Sequence, residues 1–335
     1  MSELALAAFA ARTDSHLVTA PRSQRFARFE REFDERAYLA DLAGRGLRWL
    51  PRSSPRFPRA LGAIFDVPAG LFVRGRAELE LLDRPAVAIV GARSCSAYGA
   101  DVARMLGREL AAAGLVVVSG LARGVDGHAH RGALDAGGLT VAVLGCGIDR
   151  NYPAAHAELA TRIAEHGLVV SEYAPGVEPA PWRFPARNRI VAGLAQATVV
   201  VEARERSGAL ITADLALEEG REVFAVPGEI TSALSNGSNR LLRSGAAALT
   251  SADDVLEVFG IEPEAPAALP ELSDQAAQIV ARLEVEPAGA DALARALDLD
   301  AGELAAALTE LELAGIVSER DGFFRLAAPL GCRRG

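Results

Sequence analysis

The sequence contains no lysine; all 35 of its basic residues are arginine. That absence excludes Schiff-base chemistry, a lysine general base and the lysine of a Walker A phosphate loop. A GC-rich coding sequence accounts for the bias by itself. The physical consequence is unchanged: every cation is a planar fork suited to bidentate phosphate contacts. The three cysteines, Cys95, Cys146 and Cys332, lie far apart with no CxxC pair, which argues against a disulfide framework or a zinc site. No stretch approaches the roughly 18 apolar residues of a membrane span. The opening MSELALAAFAARTDSH carries an acid where a secretion signal needs a positive start, so a cytoplasmic protein with no membrane partner is expected. There is no G-x-S-x-G nucleophile elbow, and the five histidines lack ligand spacing. No catalytic residue, metal or cofactor is therefore expected.

What is present fits two or three domains: 335 residues, half of them hydrophobic, enough for a sizeable core. The net charge of −9 is unevenly spread. Residues 261–335 hold 6 Arg against 14 acids (−8), whereas residues 1–260 hold 29 Arg against 30 acids (−1). A local basic groove in the larger part is allowed.

From about residue 85 a strand–helix rhythm repeats: VAIVG (87–91), LVVVSG (115–120), TVAVLG (140–145), LVVSEY (168–173), TVVVEA (198–203) and EVFAVPG (222–228). Helices are expected near 98–113, 126–136, 154–165, 186–195 and 209–219. Continuously apolar, β-branched strands are those of a parallel sheet covered on both faces. The fold class is therefore α/β, a doubly wound, mostly parallel sheet whose ligands bind outside the carboxyl ends of the strands. An Arg-rich N-terminal helical region is assigned to 1–80, with helical patterning over 24–43 and a Pro-punctuated stretch (54–75) packing against the first strand. The core spans 81–260 and a linker 261–272. Residues 273–330 read as three amphipathic helices and a hairpin turning at Asp321-Gly322, a winged helix. Its third helix, about 301–313, shows Glu303, Glu310 and Glu312 and no arginine, which opposes entry into a DNA groove.

Four loops follow these strands. The first, GARSCSAYG (91–99), lacks a dinucleotide fingerprint, but Arg93, its two serines and the next helix N-terminus make an anion site for one phosphate; alternatively Arg93 pairs with a carboxylate at the sheet edge. In the second, SGLARGVDGHAH (119–130), Gly120 and Gly124 permit a tight turn, Arg123 projects, Asp126 caps the next helix and His130 falls on the same face as Asp126, where an Asp126–His130 contact is favoured over a metal pair. The third, EPAPWRFPARNRIVAGL (178–194), alternates Trp182 and Phe184 with Arg183, Arg187 and Arg189. Such a loop suits a single nucleic-acid strand, each stacked base being worth roughly 1–3 kcal/mol; the alternative is that the aromatics are core and the arginines form salt bridges. The fourth, EARERSGALITAD (202–214), places Ser207-Gly208 at a helix start. Glu172 and Glu202 end strands and can form an acid–base pair, but holding Arg187 and Arg189 in place is the favoured reading.

The blocks IVGARSCSAYG, SGLARGVDGHAH, AVLGCGIDRNYP, SEYAPG, FPARNRIVAGL, VVVEARERSGALITADLALEEGREVFAVPG and NRLLRSGA occur in this order. Over roughly 55–255 the chain closely resembles the DNA processing protein A (DprA/Smf) family of natural transformation, and the trailing winged helix looks like one found in many members. The resemblance implies a Rossmann-like core binding single-stranded DNA without sequence preference, homodimerisation, and loading of RecA recombinase past single-strand-binding protein, without enzymatic turnover. It implies DNA contacts at Arg93, Ser94, Ser96, Ser119, Gly120, Arg123, Arg183, Phe184, Asn188, Arg189, Ser207 and Gly208; Arg187 stands in the same FPxRNR block. Pro181-Trp182-Arg183 replaces a lysine that relatives often carry ahead of that block, and no glycine-bearing helical hairpin is visible in 1–50. The rival readings are a phosphoribohydrolase-like nucleotide hydrolase, whose PGGxGT loop is missing here, and a duplex-specific regulator, which the acidic third helix disfavours.

Overall fold

The computed structural model describes residues 2–13, 24–262, 272–320 and 322–326. The chain divides into two compact units, Met1–Glu262 and Pro263–Gly335. Most of the expected linker and residue Asp321 lie outside the described residues.

The first unit opens with three helices, α1 (Glu3–Thr13), α2 (Gln24–Glu32) and α3 (Glu35–Gly44), then β1 (Leu47–Pro51), the short α4 (Arg59–Gly62) and β2 (Gly70–Arg74). The alternating core follows: β3 (Ala86–Val90), α5 (Ala97–Ala112), β4 (Val116–Ser119), α6 (Val125–Asp135), β5 (Thr140–Val143), α7 (Ala157–His166), β6 (Leu168–Ser171), α8 (Arg183–Leu194), β7 (Ala197–Val200), α9 (Gly208–Glu218), β8 (Glu222–Ala225), α10 (Asn236–Arg243), β9 (Ala247–Ala248) and α11 (Asp253–Val258). One nine-stranded sheet runs β1-β2-β6-β5-β4-β3-β7-β8-β9. The seven strands from β6 to β9 are parallel, and β2 and β1 join antiparallel at the β6 edge.

The period of two along β3 sets the layering. Ala86, Ala88 and Val90 point to one face, sharing a core with Ile190, Val191 and Leu194 of α8 and Leu210 and Ala213 of α9. Val87 and Ile89 point to the other, among Leu106 and Leu110 of α5 and Ala129 and Ala133 of α6. Helices α5 and α6 approach backbone to backbone. A Cβ at Gly107 would strike the Ala129 carbonyl, and one at Gly132 would strike that of Arg104.

Three expectations are corrected. The pattern over 24–43 is two helices, because Asp34 accepts from the Ala37 N–H and caps α3; a capping side chain starts a new helix wherever it finds free amide donors. The 54–75 stretch puts its strand, β2, beside β6 rather than β3, and the N-terminal 80 residues thereby contribute two strands as well as helices. Helix α8 begins at Arg183 rather than near 186, taking in most of the presumed aromatic loop; Pro185 sits in its first turn, where its missing N–H costs nothing.

In the second unit α12 (Asp274–Leu283), α13 (Ala290–Leu297) and α14 (Ala301–Leu313) precede an antiparallel pair, β10 (Val317–Arg320) and β11 (Phe323–Leu326). Ala288 bridges Phe324 through two backbone hydrogen bonds, supplying a third strand position. The acids of α14 have local duties. Glu303 completes a capping box with Asp300, and Glu310 accepts from the amide and hydroxyl of Ser273, which hold its carboxyl below the usual range.

Candidate nucleic-acid interface

β3 is where the sheet changes direction: β4, β5 and β6 follow on one side, β7, β8 and β9 on the other. Loops leaving β3 and β7 diverge there, which opens the crevice in which such sheets bind ligands. A cleft of about 540 Å³ occupies this position, with Arg93, Ser94, Phe184, Asn188, Arg204 and Arg206 among its walls.

The first loop presents Arg93 and Ser94 outward. Ser96 turns away. Its hydroxyl donates to Glu202 Oε1 at 2.5 Å and its amide to Oε2 at 2.9 Å, while its oxygen caps α5 by accepting from Gly99 N–H at 3.0 Å. The start of α5 is thus already satisfied by protein groups, contrary to its expected role as an anion receptor. Glu202 holds this serine rather than an arginine. Burial, with Glu202 second, pushes the Cys95 thiol and the Tyr98 phenol up.

The second loop is built around Asp126, which accepts from the amides of Gly120 (3.1 Å) and Ala122 (3.3 Å). It does not cap α6, whose N-cap is Gly124 at φ 73°, a left-handed value that favours glycine. A Cβ at Gly120 would run into both the Asp126 carboxylate and the Arg187 guanidinium. Burial raises the Asp126 carboxyl and lowers the Arg187 guanidinium, and each charge counters the other's shift. Ser119 is fully buried and donates to the Ile89 carbonyl. Arg123 is exposed but lies outside the cleft walls. The expected Asp126–His130 contact does not form. His130 donates through Nδ1 to the Thr140 hydroxyl at 2.7 Å, whose own proton goes to Val117 O. Burial, reinforced by His156 and Arg187, depresses His130 to about 3.

Helix α8 sorts the third block onto two faces, because residues three and four apart share a face. Phe184, Arg187, Asn188 and Val191 line the cleft; Trp182, Arg183, Ala186 and Arg189 line a separate cavity of about 190 Å³. Arg189 donates to both oxygens of Glu172 at 2.8 and 2.7 Å and to Asp66 at 2.8 Å. Burial opposes its charge, but Glu172, with Asp66 and Tyr173 adding to it, holds the guanidinium above its ordinary range. Arg183 donates to the Glu178 carbonyl and lies over the Trp182 ring at 4.6 Å. Arg187, 4 % exposed, donates to the Gly120 and Val143 carbonyls. It clips the second loop to β5, and neither Glu172 nor Glu202 holds it. Phe184 stacks on the Tyr152 ring at 5.3 Å and meets the Arg93 guanidinium at 5.2 Å. Asn188 donates to Gly208 O at 3.1 Å and ties α8 to the fourth loop.

In that loop Ser207 caps α9 by accepting from Ala209 N–H, leaving Gly208 exposed. Arg204 and Arg206 project into the cleft without an ion-pair partner among the described residues. The predicted residues gathered at the cleft are therefore Arg93, Ser94, Gly120, Phe184, Arg187, Asn188, Ser207 and Gly208; Ser96, Ser119, Arg123, Arg183 and Arg189 are not among its walls. Sequence reasoning missed Tyr152, Arg204 and Arg206. The signal for the two arginines is the EARERSG block itself, which carries both.

Among the described residues no His/Cys/Asp/Glu group has metal-binding geometry, and no helix is long and apolar enough to cross a membrane. Residues 48–260 match the sequence profile of the DNA recombination-mediator protein A family, and residues 263–322 that of the DprA winged helix domain. The chain is 39 % identical to protein Smf of Escherichia coli over 329 residues, 95 % of this chain and 87 % of that one. Its structure resembles that of DNA processing protein A from Streptococcus pneumoniae, with TM-score 0.65, 39 % identity and coverage of 76 % of this chain and 92 % of that one. It also resembles the Helicobacter pylori protein whose structure was described for its single-stranded DNA binding mode, with TM-score 0.57, 32 % identity and coverage of 64 % and 95 %.

Proposed function

The chain belongs to the DNA recombination-mediator protein A family, and from that premise we propose that it binds single-stranded DNA without sequence preference in the cleft at the β3/β7 switch point. One observation carries the reading. Three exposed arginines without carboxylate partners among the described residues, Arg93, Arg204 and Arg206, stand in the same cleft as the stacked Phe184–Tyr152 pair. Arginine forks take phosphates and aromatic rings take bases of any identity. Tyr152, 42 % exposed, offers the outer ring face on which a base stacks.

Buried arginines complete the site indirectly. Arg187 fixes the loop that faces the strand, and Arg189 pins α8 to Glu172. The reading includes no chemical turnover: Glu202 is engaged by Ser96, Asp126 by two loop amides and Glu172 by Arg189. In the cell we propose the role that the family resemblance implies: a cytoplasmic homodimer that receives incoming single strands in natural transformation and loads RecA recombinase onto them past single-strand-binding protein.

Fluorescence anisotropy of a labelled oligonucleotide over a salt series tests the binding reading. Affinity falls log-linearly, with a slope of about −0.7 per neutralised phosphate, and a duplex of the same length binds more weakly. A flat salt response, or a preference for duplex, contradicts it.

A further inference from the structure

In doubly wound folds the turn after the strand at the switch point leads into a helix whose N-terminus receives the pyrophosphate of a nucleotide. Here that strand is β3 and that helix is α5, sixteen residues long. The start of that helix is already occupied. The Glu202 side chain, arriving from the end of β7 and 5 % exposed, takes the Ser96 amide and hydroxyl with its two oxygens. Space has been made for it. A Cβ at Gly99, in the first turn of α5, would stand 2.5 Å from the Glu202 carboxyl carbon and Oε2.

We infer that Glu202 is a specificity-determining residue: its carboxylate occupies the anion position at the start of α5 and bars nucleoside di- and triphosphates from it. A pyrophosphate brought to that position meets a resident negative charge and finds the Ser96 donors taken. A phosphodiester strand has no need of it, because its singly charged phosphates run past the outward Arg93, Arg204 and Arg206. The inference deepens the strand-binding reading and rests on it for its biological sense. A fold suited to nucleotides is thereby reserved for a polymer in a cell rich in free nucleotides. Such discrimination comes from a clash built against the competitor rather than a contact added for the partner.

Direct titration of a fluorescent N-methylanthraniloyl-ADP against the full chain tests this. The Glu202→Ala variant frees the Ser96 donors and opens the space beside Gly99, so its ADP affinity rises at least about tenfold over wild type, the scale of one charge-assisted hydrogen bond. The Glu202→Gln variant keeps the shape of the cap should the alanine variant fail to fold, and by removing the charge it also tightens ADP binding, by less. Wild-type protein binding ADP as tightly as the variants, or folded variants showing no gain, overturns the inference. Failure of the strand-binding reading shows separately, as a wild type that does not bind the labelled oligonucleotide, and leaves the ADP comparison intact.

Discussion

Arg93 and Phe184 touch each other at 5.2 Å, yet on the proposed reading they contribute different terms to binding. Arg93→Ala removes a phosphate contact, so the salt slope becomes shallower by about 0.7. Phe184→Ala leaves the slope unchanged and weakens binding uniformly by about 1–3 kcal/mol. Anisotropy titrations of both variants at several salt concentrations separate the two outcomes; equal slopes for Arg93→Ala and wild type would contradict the assignment. Arg189 makes the opposite case. With its side chain 13 % exposed and that of Glu172 8 %, Arg189→Met leaves a nearly buried carboxylate unpaired. It lowers unfolding stability by about 3–5 kcal/mol, measurable by denaturant titration. His130 supplies a pH dependence. Its folded pKa of about 3 lies below the ordinary value of about 6.5, so the unfolded chain binds a proton that the native chain refuses. The stability is fully present above about pH 6.5 and is lost as pH falls toward 3, about 2 kcal/mol of it between pH 7.5 and 5. Unfolding at the two pH values checks this, and His130→Leu reduces the difference by that amount; an unchanged difference would show that His130 is not its source.

Helices α5 and α6 pack through close backbone approach. Gly107→Ala forces α5 and α6 apart at the Ala129 carbonyl and costs about 1–3 kcal/mol, as overpacking does; thermal denaturation of the variant reads it directly. The strands were legible in the sequence because both their faces are buried, and continuous runs such as VVVS and ATVV have no other place in a two-sided layer. Long-range partnerships were not legible. That β2 turns to β6, that Asp126 reaches back to Gly120, and that Glu202 reaches across to Ser96 depend on sheet order, which local periodicity does not encode. The FPARNR block shows the same limit. Its arginines read as equivalent in a loop, but one early turn of helix sends Arg187 to the cleft side and Arg183 and Arg189 to the other.

Across the whole molecule, charge is segregated along the chain. The first 260 residues are nearly neutral and the last 75 carry −8, so an overall deficit of −9 coexists with a cleft lined at its first and fourth loops by Arg93, Arg204 and Arg206. Exposed charges more than about 10 Å apart are largely screened at ordinary ionic strength; the groove, not the sum, governs a polyanion. On the proposed reading, a chain ending at Glu262 keeps the single-strand affinity and salt slope of the full protein in anisotropy titrations. The most direct measurement of the central claim is photo-crosslinking of an oligonucleotide bearing 5-iododeoxyuridine, with the adducts located by mass spectrometry. The switch-point cleft predicts adducts at Tyr152 and Phe184. Adducts confined to α14, or to the arginines of α2, would contradict it.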